Sequence, residues 1–226
     1  MQDALEPALA EIAGVPVSTT AAGRTDRGVH ARIQVVHFDT EAKRPLTAWV
    51  RGVNALLPDA VAVLWSQDVP QEFHARYSAL ARTYHYALLN RPVRPGLAAP
   101  YVGWFHQPLD LEKMRAAAAL LVGEHDFSAF RSSECQAKSP VRTVHAFTVS
   151  RREETIQFDI RANAFLHHMV RNLVGTLVYV GKGSYPPSHV QEILRSKDRS
   201  KAAPTFGPEG LYLERIEYEP RWQLPR

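Results

Sequence analysis

The apolar positions of this chain alternate between helical and strand-like spacing. In residues 1–14, Leu5, Ala8, Leu9 and Ile12 share one helical face and the run stops at a glycine, which predicts an amphipathic helix. Residues 16–21 read as a short strand. After a polar loop, Ile33, Val35 and His37 alternate with Gln34, Val36 and Phe38, a strand with both faces at least partly covered. Residues 46–57 look helical up to Pro58, and 61–66 and 83–89 read as strands. Pro92, Pro95, Gly96 and Pro100 mark residues 90–100 as a link.

Beyond the link, residues 111–122 form a predicted helix with an alanine run, and 124–144 a long irregular segment. Residues 142–150 and 155–161 alternate around the polar turn 151–154, a hairpin pattern. Leu166, Met169, Val170, Leu173, Val174, Leu177 and Val178 give a helical stripe that ends at Gly181 and Gly183. A short helix near Pro187 and a strand over 211–218 close the chain. Antiparallel-type strands mixed with helices in each half predict an α+β fold rather than a doubly wound parallel one. The expected division is 1–96 and 97–226, and no sequence repeat relates the two halves.

With 226 residues, 45% of them hydrophobic, the chain is long and apolar enough to fold rather than stay disordered. No apolar run reaches the roughly 18 residues of a membrane-spanning helix and no charged-then-apolar leader is present, so a cytoplasmic location without membrane contact is expected. The lone Cys135 excludes an intramolecular disulfide and a cysteine-based zinc site. A net charge of +4 permits nucleic acid as a partner. Within residues 73–95, Arg76, Arg82, Arg91 and Arg94 stand among Phe73, Tyr77, Tyr84 and Tyr86 with no acidic residue, a mixture that suits phosphates and stacked bases as well as an ordinary solvated face. Residues 195–201 hold four cations and Asp198 and read more plainly as such a face.

The chemistry centres on Asp26. Gly23 and Gly28 bracket Arg24, Thr25, Asp26 and Arg27, so backbone at positive φ is expected there. A carboxylate between two guanidiniums suits a nucleophile or an electrostatic stabiliser, not a general acid. On spacing alone, the same run also fits a solvated loop with a local ion pair. Tyr84 and Tyr86 fall on one face of a strand, which fits a core pair. Arg171 lies on the long apolar helix, where a cation ordinarily snorkels to the edge. His167 and His168 invite a metal reading, but adjacent helical positions point about 100° apart. They are expected to pack or bond locally, with no metal and no cofactor.

GRTDRGVHA, residues 23–31, resembles the signature loop of the TruA family of tRNA pseudouridine synthases. The runs FHARYSALARTYHYALLN (73–90) and ANAFLHHMVRNLVG (162–175) resemble two further motifs of that family. VRGVNALLPDAVAV, DFSAFRSSECQAKSPVRTV and APTFGPEGLYLERIEY follow in the same order, so the likeness covers nearly the whole chain. The resemblance implies the pseudouridine synthase fold, with two related α+β halves around a central antiparallel sheet flanked by helices. It implies isomerisation of uridine in the anticodon arm of tRNA by a homodimer that binds tRNA across both subunits. In its terms Asp26 is the nucleophile, Tyr84 the active-site tyrosine, and Arg171 the partner of Asp26; Arg24, Arg27, Arg76 and Arg82 would grip phosphates. The family's usual opening strand would lie upstream of Met1, so that either the sequence is truncated or, the favoured expectation, translation begins upstream at a non-Met codon. The tail carries Phe206, Gly207 and Pro208 where the family more often has small residues with proline.

Two other classes of function compete with this one. A non-catalytic tRNA-binding module or folding helper would use the basic, aromatic surface without needing Asp26. A metal-dependent hydrolase built on the histidines is disfavoured by their spacing.

Overall fold

The structure is a computed structural model and describes residues 1–225. In chain order the elements are α1 (Gln2–Ala13), β1 (Thr20–Ala21), β2 (His30–Ala31), β3 (Val36–His37) and a π-helical stretch over Ala48–Gly52. Next come β4 (Ala79–Asn90), β5 (Gly103–Phe105), α2 (Leu111–Ala119) and β6 (Gly123–Asp126). The chain ends with β7 (Val141–Arg152), β8 (Thr155–Ala162), α3 (Met169–Gly181), α4 (His189–Ser196) and β9 (Leu211–Tyr218). These elements group into two compact units, each drawn from separate stretches of the chain: Met1–Arg24 with Gln34–Leu80 and Glu217–Arg226, and Thr25–Ile33 with Ala81–Ile216.

In the first unit α1 buries Leu5, Ala8, Leu9 and Ala13 with Val17, Trp49 and Val53. Gly14 closes the helix in the left-handed region at φ 78°, its N–H donating to Ala10 O, as the glycine stop predicts. Glu6 Oε1 accepts from Thr19 N at 2.7 Å, which pins the start of β1 to the helix. The strands expected over 16–21 and 33–38 shrink to a two-residue antiparallel pairing, Thr20 with His37 and Ala21 with Val36. The strand expected over 61–66 does not form. Asn54 instead holds Val63 from both sides, donating to its carbonyl at 2.8 Å and accepting from its N–H at 2.7 Å. A side-chain amide thus takes the place of a neighbouring strand in satisfying that backbone.

The second unit is built on a seven-stranded sheet in the order β2-β9-β4-β8-β7-β6, with β5 beside β4. The pairs β4–β8, β7–β8 and β6–β7 are antiparallel, whereas β2–β9 and β4–β5 are parallel, so the sheet is mixed rather than wholly antiparallel. The expected hairpin forms around Glu153, a non-glycine at φ 55°, with Arg152 opposite Thr155. The segment expected to be irregular from 124 opens instead with β6. The closing strand takes the predicted residues 211–218.

Phe158 and Ile160 of β8, Tyr86 and Leu88 of β4, Met114 of α2 and Leu173 and Leu177 of α3 are all fully buried in one core. Helix α3 is buried nearly all round, Asn172 included. Asn172 donates to Phe130 O at 2.8 Å and accepts from Arg199 Nη2 at 3.0 Å and from Thr205 Oγ1 at 2.7 Å. A buried amide with its hydrogen bonds made fixes the rotation of α3, and with it the direction in which its first turn faces.

Candidate active site

Asp26 lies at the head of a tight turn in which Val29 N donates to Asp26 O at 3.0 Å. The third position of the turn is Gly28 at φ 83°, a conformation glycine enters without penalty. Gly28 also faces Pro208 so closely that a β-carbon would meet its Cγ at 3.0 Å. Directly after the turn, β2 pairs with β9, His30 opposite Tyr212, which tethers the loop to the sheet. Gly23, the other bracketing glycine, is not among the positive-φ residues, contrary to expectation. Its backbone is instead clasped by the Gln34 side chain, which accepts from Gly23 N at 3.3 Å and donates to Gly23 O at 2.6 Å.

Three side chains converge on the Asp26 carboxylate. His167 Nε2 is 3.0 Å from Oδ1, His168 Nε2 is 3.2 Å from Oδ2, and Arg171 Nη1 is 3.5 Å from the same Oδ2. Arg171 does not snorkel outward: only 14% of its side chain is exposed, and its Nε donates to Phe206 O at 2.8 Å. Phe206 N in turn donates to the Arg171 main-chain carbonyl at 3.2 Å, so the segment that receives the guanidinium is itself tied to α3.

The histidines depart from the sequence reading, because the helix begins only at Met169. His168 is its N-cap, in the left-handed region at φ 62°. A non-glycine residue held there stores strain on the order of 1–3 kcal/mol, a cost met chiefly at functional sites. The 100° helical separation therefore does not apply. The two rings lie side by side with centroids 4.0 Å apart, and both reach a carboxylate far away in sequence rather than bonding locally. No Ser, Thr or Asp stands between 163 and 169 to announce the helix start, which is why the pair was not legible. The ligand atoms of Asp26, His167 and His168 lie within 4.8 Å of one another and could hold a metal ion, so the objection from spacing fails.

Burial pushes the pKa of His168 below its ordinary value, reinforced by His167 and Arg171, while the Asp26 carboxylate pulls the other way and is outweighed. His168 at neutral pH is therefore mainly a neutral neighbour of Asp26 rather than an ion-pair partner.

Tyr84, opposite Ile160 in the sheet, is 8% exposed and meets Phe165 edge-on at 5.0 Å. Burial raises its phenol to about 12, with Arg82 lowering it and Asp26 raising it. Tyr86 is the structural member of the pair. It is fully buried and spends its hydroxyl on Gly207 O at 2.8 Å.

The basic residues divide. Arg24, Arg27 and Arg76 are exposed. Arg82 is 8% exposed and donates to Asn163 O at 3.0 Å, so its guanidinium is engaged inside the fold. A cavity of about 700 Å³ whose lining includes Arg131, Ser132, His168, Lys197 and Arg199 shares His168 with the Asp26 cluster. Among the described residues, no helix is long and apolar enough to cross a membrane.

Residues 1–78 and 117–219 match the family described as tRNA pseudouridine synthase. A tRNA pseudouridine synthase A of Dechloromonas aromatica is 60% identical over 225 residues, 100% of this chain and 86% of that protein. Proteins of the same name from Methylobacillus flagellatus and Nitrosomonas eutropha are 58% and 57% identical over 225 residues, with 86% and 81% of their lengths covered. A family match across most of the chain, together with identity at this level along its whole length, places the chain in the tRNA pseudouridine synthase family.

Proposed function

We propose that this protein isomerises uridine to pseudouridine in the anticodon arm of tRNA, with Asp26 as the nucleophile. The observation that carries the reading is the Asp26 carboxylate gripped by Arg171, His167 and His168. A protein that only binds RNA has no use for a partly buried carboxylate held by three side chains, since burying charge costs free energy that binding would not recover.

In the reaction the glycosidic N1–C1′ bond breaks, the base turns, and a C5–C1′ bond forms. The proton on C5 leaves to solvent and N1 takes one up, so the product is an isomer and no oxidant or hydrolytic water is consumed. Asp26 bonds transiently to the nucleoside and is released. Arg171 and His167 are positioning residues that hold the carboxylate in place, and Arg171 balances its charge. Tyr84, kept a neutral phenol, offers an aromatic edge and a hydroxyl donor to the flipped-out base rather than acting as an ionised base. The cavity that shares His168 has the cationic and hydroxyl lining that a neighbouring phosphate needs.

Arg24, Arg27 and Arg76 contact the tRNA backbone in this reading, while Arg82 acts indirectly by bracing the chain at Asn163. The working form is a cytoplasmic homodimer, and within each subunit residues 1–96 and 97–226 form two related halves. Tritium release from tRNA labelled at uridine C5 tests the activity. The wild-type chain should release label. Asp26→Asn should release none while its tRNA affinity stays within a few-fold. Full turnover by that variant would leave a binding module as the better reading.

A further inference from the structure

We propose that Asp26, His167 and His168 capture one late first-row divalent cation, Zn²⁺ foremost, and that its capture switches the enzyme off. The second half of this proposal rests on Asp26 being the nucleophile; the first half does not.

Two imidazoles and one carboxylate form a donor set suited to Zn²⁺, Ni²⁺ and Co²⁺ and poorly suited to Mg²⁺, which prefers oxygen. Zinc sits about 2.0–2.2 Å from such donors, so donors around a tetrahedral ion lie roughly 3.3 Å apart. Here His167 Nε2 is 3.0 Å from Oδ1 and His168 Nε2 is 3.2 Å from Oδ2, and one ligand atom from each of the three residues falls within 4.8 Å of the other two. The wider of these separations would have to contract toward about 3.3 Å for the three donors to close on one ion. As the ion binds, each neutral ring carries its single proton on Nδ1 instead of Nε2, so the Nε2 lone pair meets the ion and no net proton is released.

The donors are held where the ion needs them. His168 is turned by its left-handed backbone, the His167 carbonyl accepts from Ser132 N at 3.0 Å, and Asp26 sits on its closed turn. Between 25% and 31% of each of the three side chains is exposed, which leaves the ion a path in and a fourth position for water.

Arg171 opposes the cation, since its Nη1 shares Oδ2 and its Nε is tied to Phe206 O. That repulsion weakens the site relative to the same three ligands without a neighbouring cation. The consequence for catalysis is direct: a carboxylate whose lone pairs are committed to a metal cannot attack a nucleoside, whereas Mg²⁺ at the concentrations that fold tRNA leaves it free.

Isothermal titration of the full, metal-free chain with Zn²⁺ tests the binding, and Co²⁺ absorption identifies the ligands. Wild type should show a site that weakens tenfold or more in each of Asp26→Ala, His167→Ala and His168→Ala. The variants' fold is checked by circular dichroism. Bound Co²⁺ should give visible d–d bands without a thiolate charge-transfer band. Equal Zn²⁺ affinity in wild type and all three folded variants, or a thiolate band that implicates Cys135, would overturn the site. Tritium release should fall with a midpoint matching the titrated affinity, recover on chelation, and ignore Mg²⁺. Undiminished release with the site saturated would overturn the switch. A metal-free chain that releases no tritium at all would count against the proposed activity, and the titration would still decide the metal site.

Discussion

His167 Nε2 stands 3.0 Å from Asp26 Oδ1, joining residues 141 positions apart in the chain. The histidine is itself secured, because its carbonyl accepts from Ser132 N at 3.0 Å. A donor fixed at one end and aimed at one carboxylate oxygen limits the rotation of Asp26 and leaves Oδ2 to His168 and Arg171. The carboxylate is oriented before any substrate arrives, and for the nucleophile proposed here such orientation acts on the chemical step more than on binding.

His167→Ala should therefore lower kcat by roughly 10- to 100-fold and leave KM within about twofold. His167→Gln, which can still present an N–H to Oδ1, should recover part of the loss. The stability cost of the lost hydrogen bond should be only about 1 kcal/mol. Steady-state kinetics on the three proteins decides the matter, and a KM effect equal to the kcat effect would assign His167 to substrate binding instead.

Arg171→Lys should fail to rescue what Arg171→Leu loses. The arginine uses two directions at once, Nε to Phe206 O and Nη1 to Asp26, and a single ammonium cannot reproduce both. With Asp26 about a quarter exposed and two histidines still against it, the cost of removing the guanidinium is discounted from that of a fully buried pair to roughly 1–3 kcal/mol. Both variants should lose turnover by at least tenfold. Wild-type turnover in Arg171→Leu would show that the pairing has no part in the reaction.

How much of this was readable from the sequence depended on whether the deciding contacts were local. The helix ending at Gly14 and the strand 211–218 carry their own periodicity and punctuation, and both form as read. The strand expected over 61–66 has the same local pattern but pairs with the Asn54 side chain, a choice made nine residues away. At the site, the Asp26 loop fitted a solvated turn as well on spacing alone, and Tyr84 and Tyr86 were equivalent by alternation, so the resemblance singled out Asp26 and Tyr84. A hydrogen bond separates the two tyrosines, since Tyr86 has its hydroxyl locked to Gly207 O. The roles of His167 and His168 hinge on the left-handed backbone of a single residue, which nothing in FLHHMVR encodes visibly.

Acid should expose the burial of His168. Its folded pKa is depressed, so the folded chain binds fewer protons than the unfolded one as pH falls. The stability tied to this group is complete above its unfolded value of about 6.5 and is lost as pH drops through the lower folded value. Wild type should lose more melting temperature between about pH 7.5 and about pH 5 than His168→Gln does. Because the pKa of His37 is also lowered, chiefly by burial, the difference between the two proteins and not the wild-type curve alone is the diagnostic quantity. Parallel curves would contradict the assigned shift.

Tyr84 should behave as a phenol that does not ionise in the working range. Burial pushes it up to about 12 and pushes Tyr86 higher still, so neither should add to phenolate absorbance below about pH 11. Tyr84→Phe should leave the titration unchanged up to that point. It should lower kcat by roughly 10- to 100-fold through loss of the hydroxyl, with Tyr84→Leu lower again. A phenolate forming below about pH 10 in wild type and missing from Tyr84→Phe would mean the group is more open and more acidic than its packing implies.

Gly28→Ala should damage the site out of proportion to its effect on stability. Its φ of 83° is unfavourable for alanine by about 1–2 kcal/mol, and the added Cβ would meet Pro208 Cγ at 3.0 Å. Relief requires the turn to move, and Asp26 is the first residue of that turn. Gly183→Ala supplies the comparison, since Gly183 has a φ of 85° with nothing within 4 Å of an added Cβ. Both substitutions carry similar backbone strain, so their melting temperatures should fall by comparable amounts, with Gly28→Ala somewhat lower. Only Gly28→Ala should lose tritium release, by tenfold or more, because a displacement of about 1 Å is enough to take a nucleophile out of line. Equal rates in the two variants would mean that the turn absorbs the added methyl without moving Asp26.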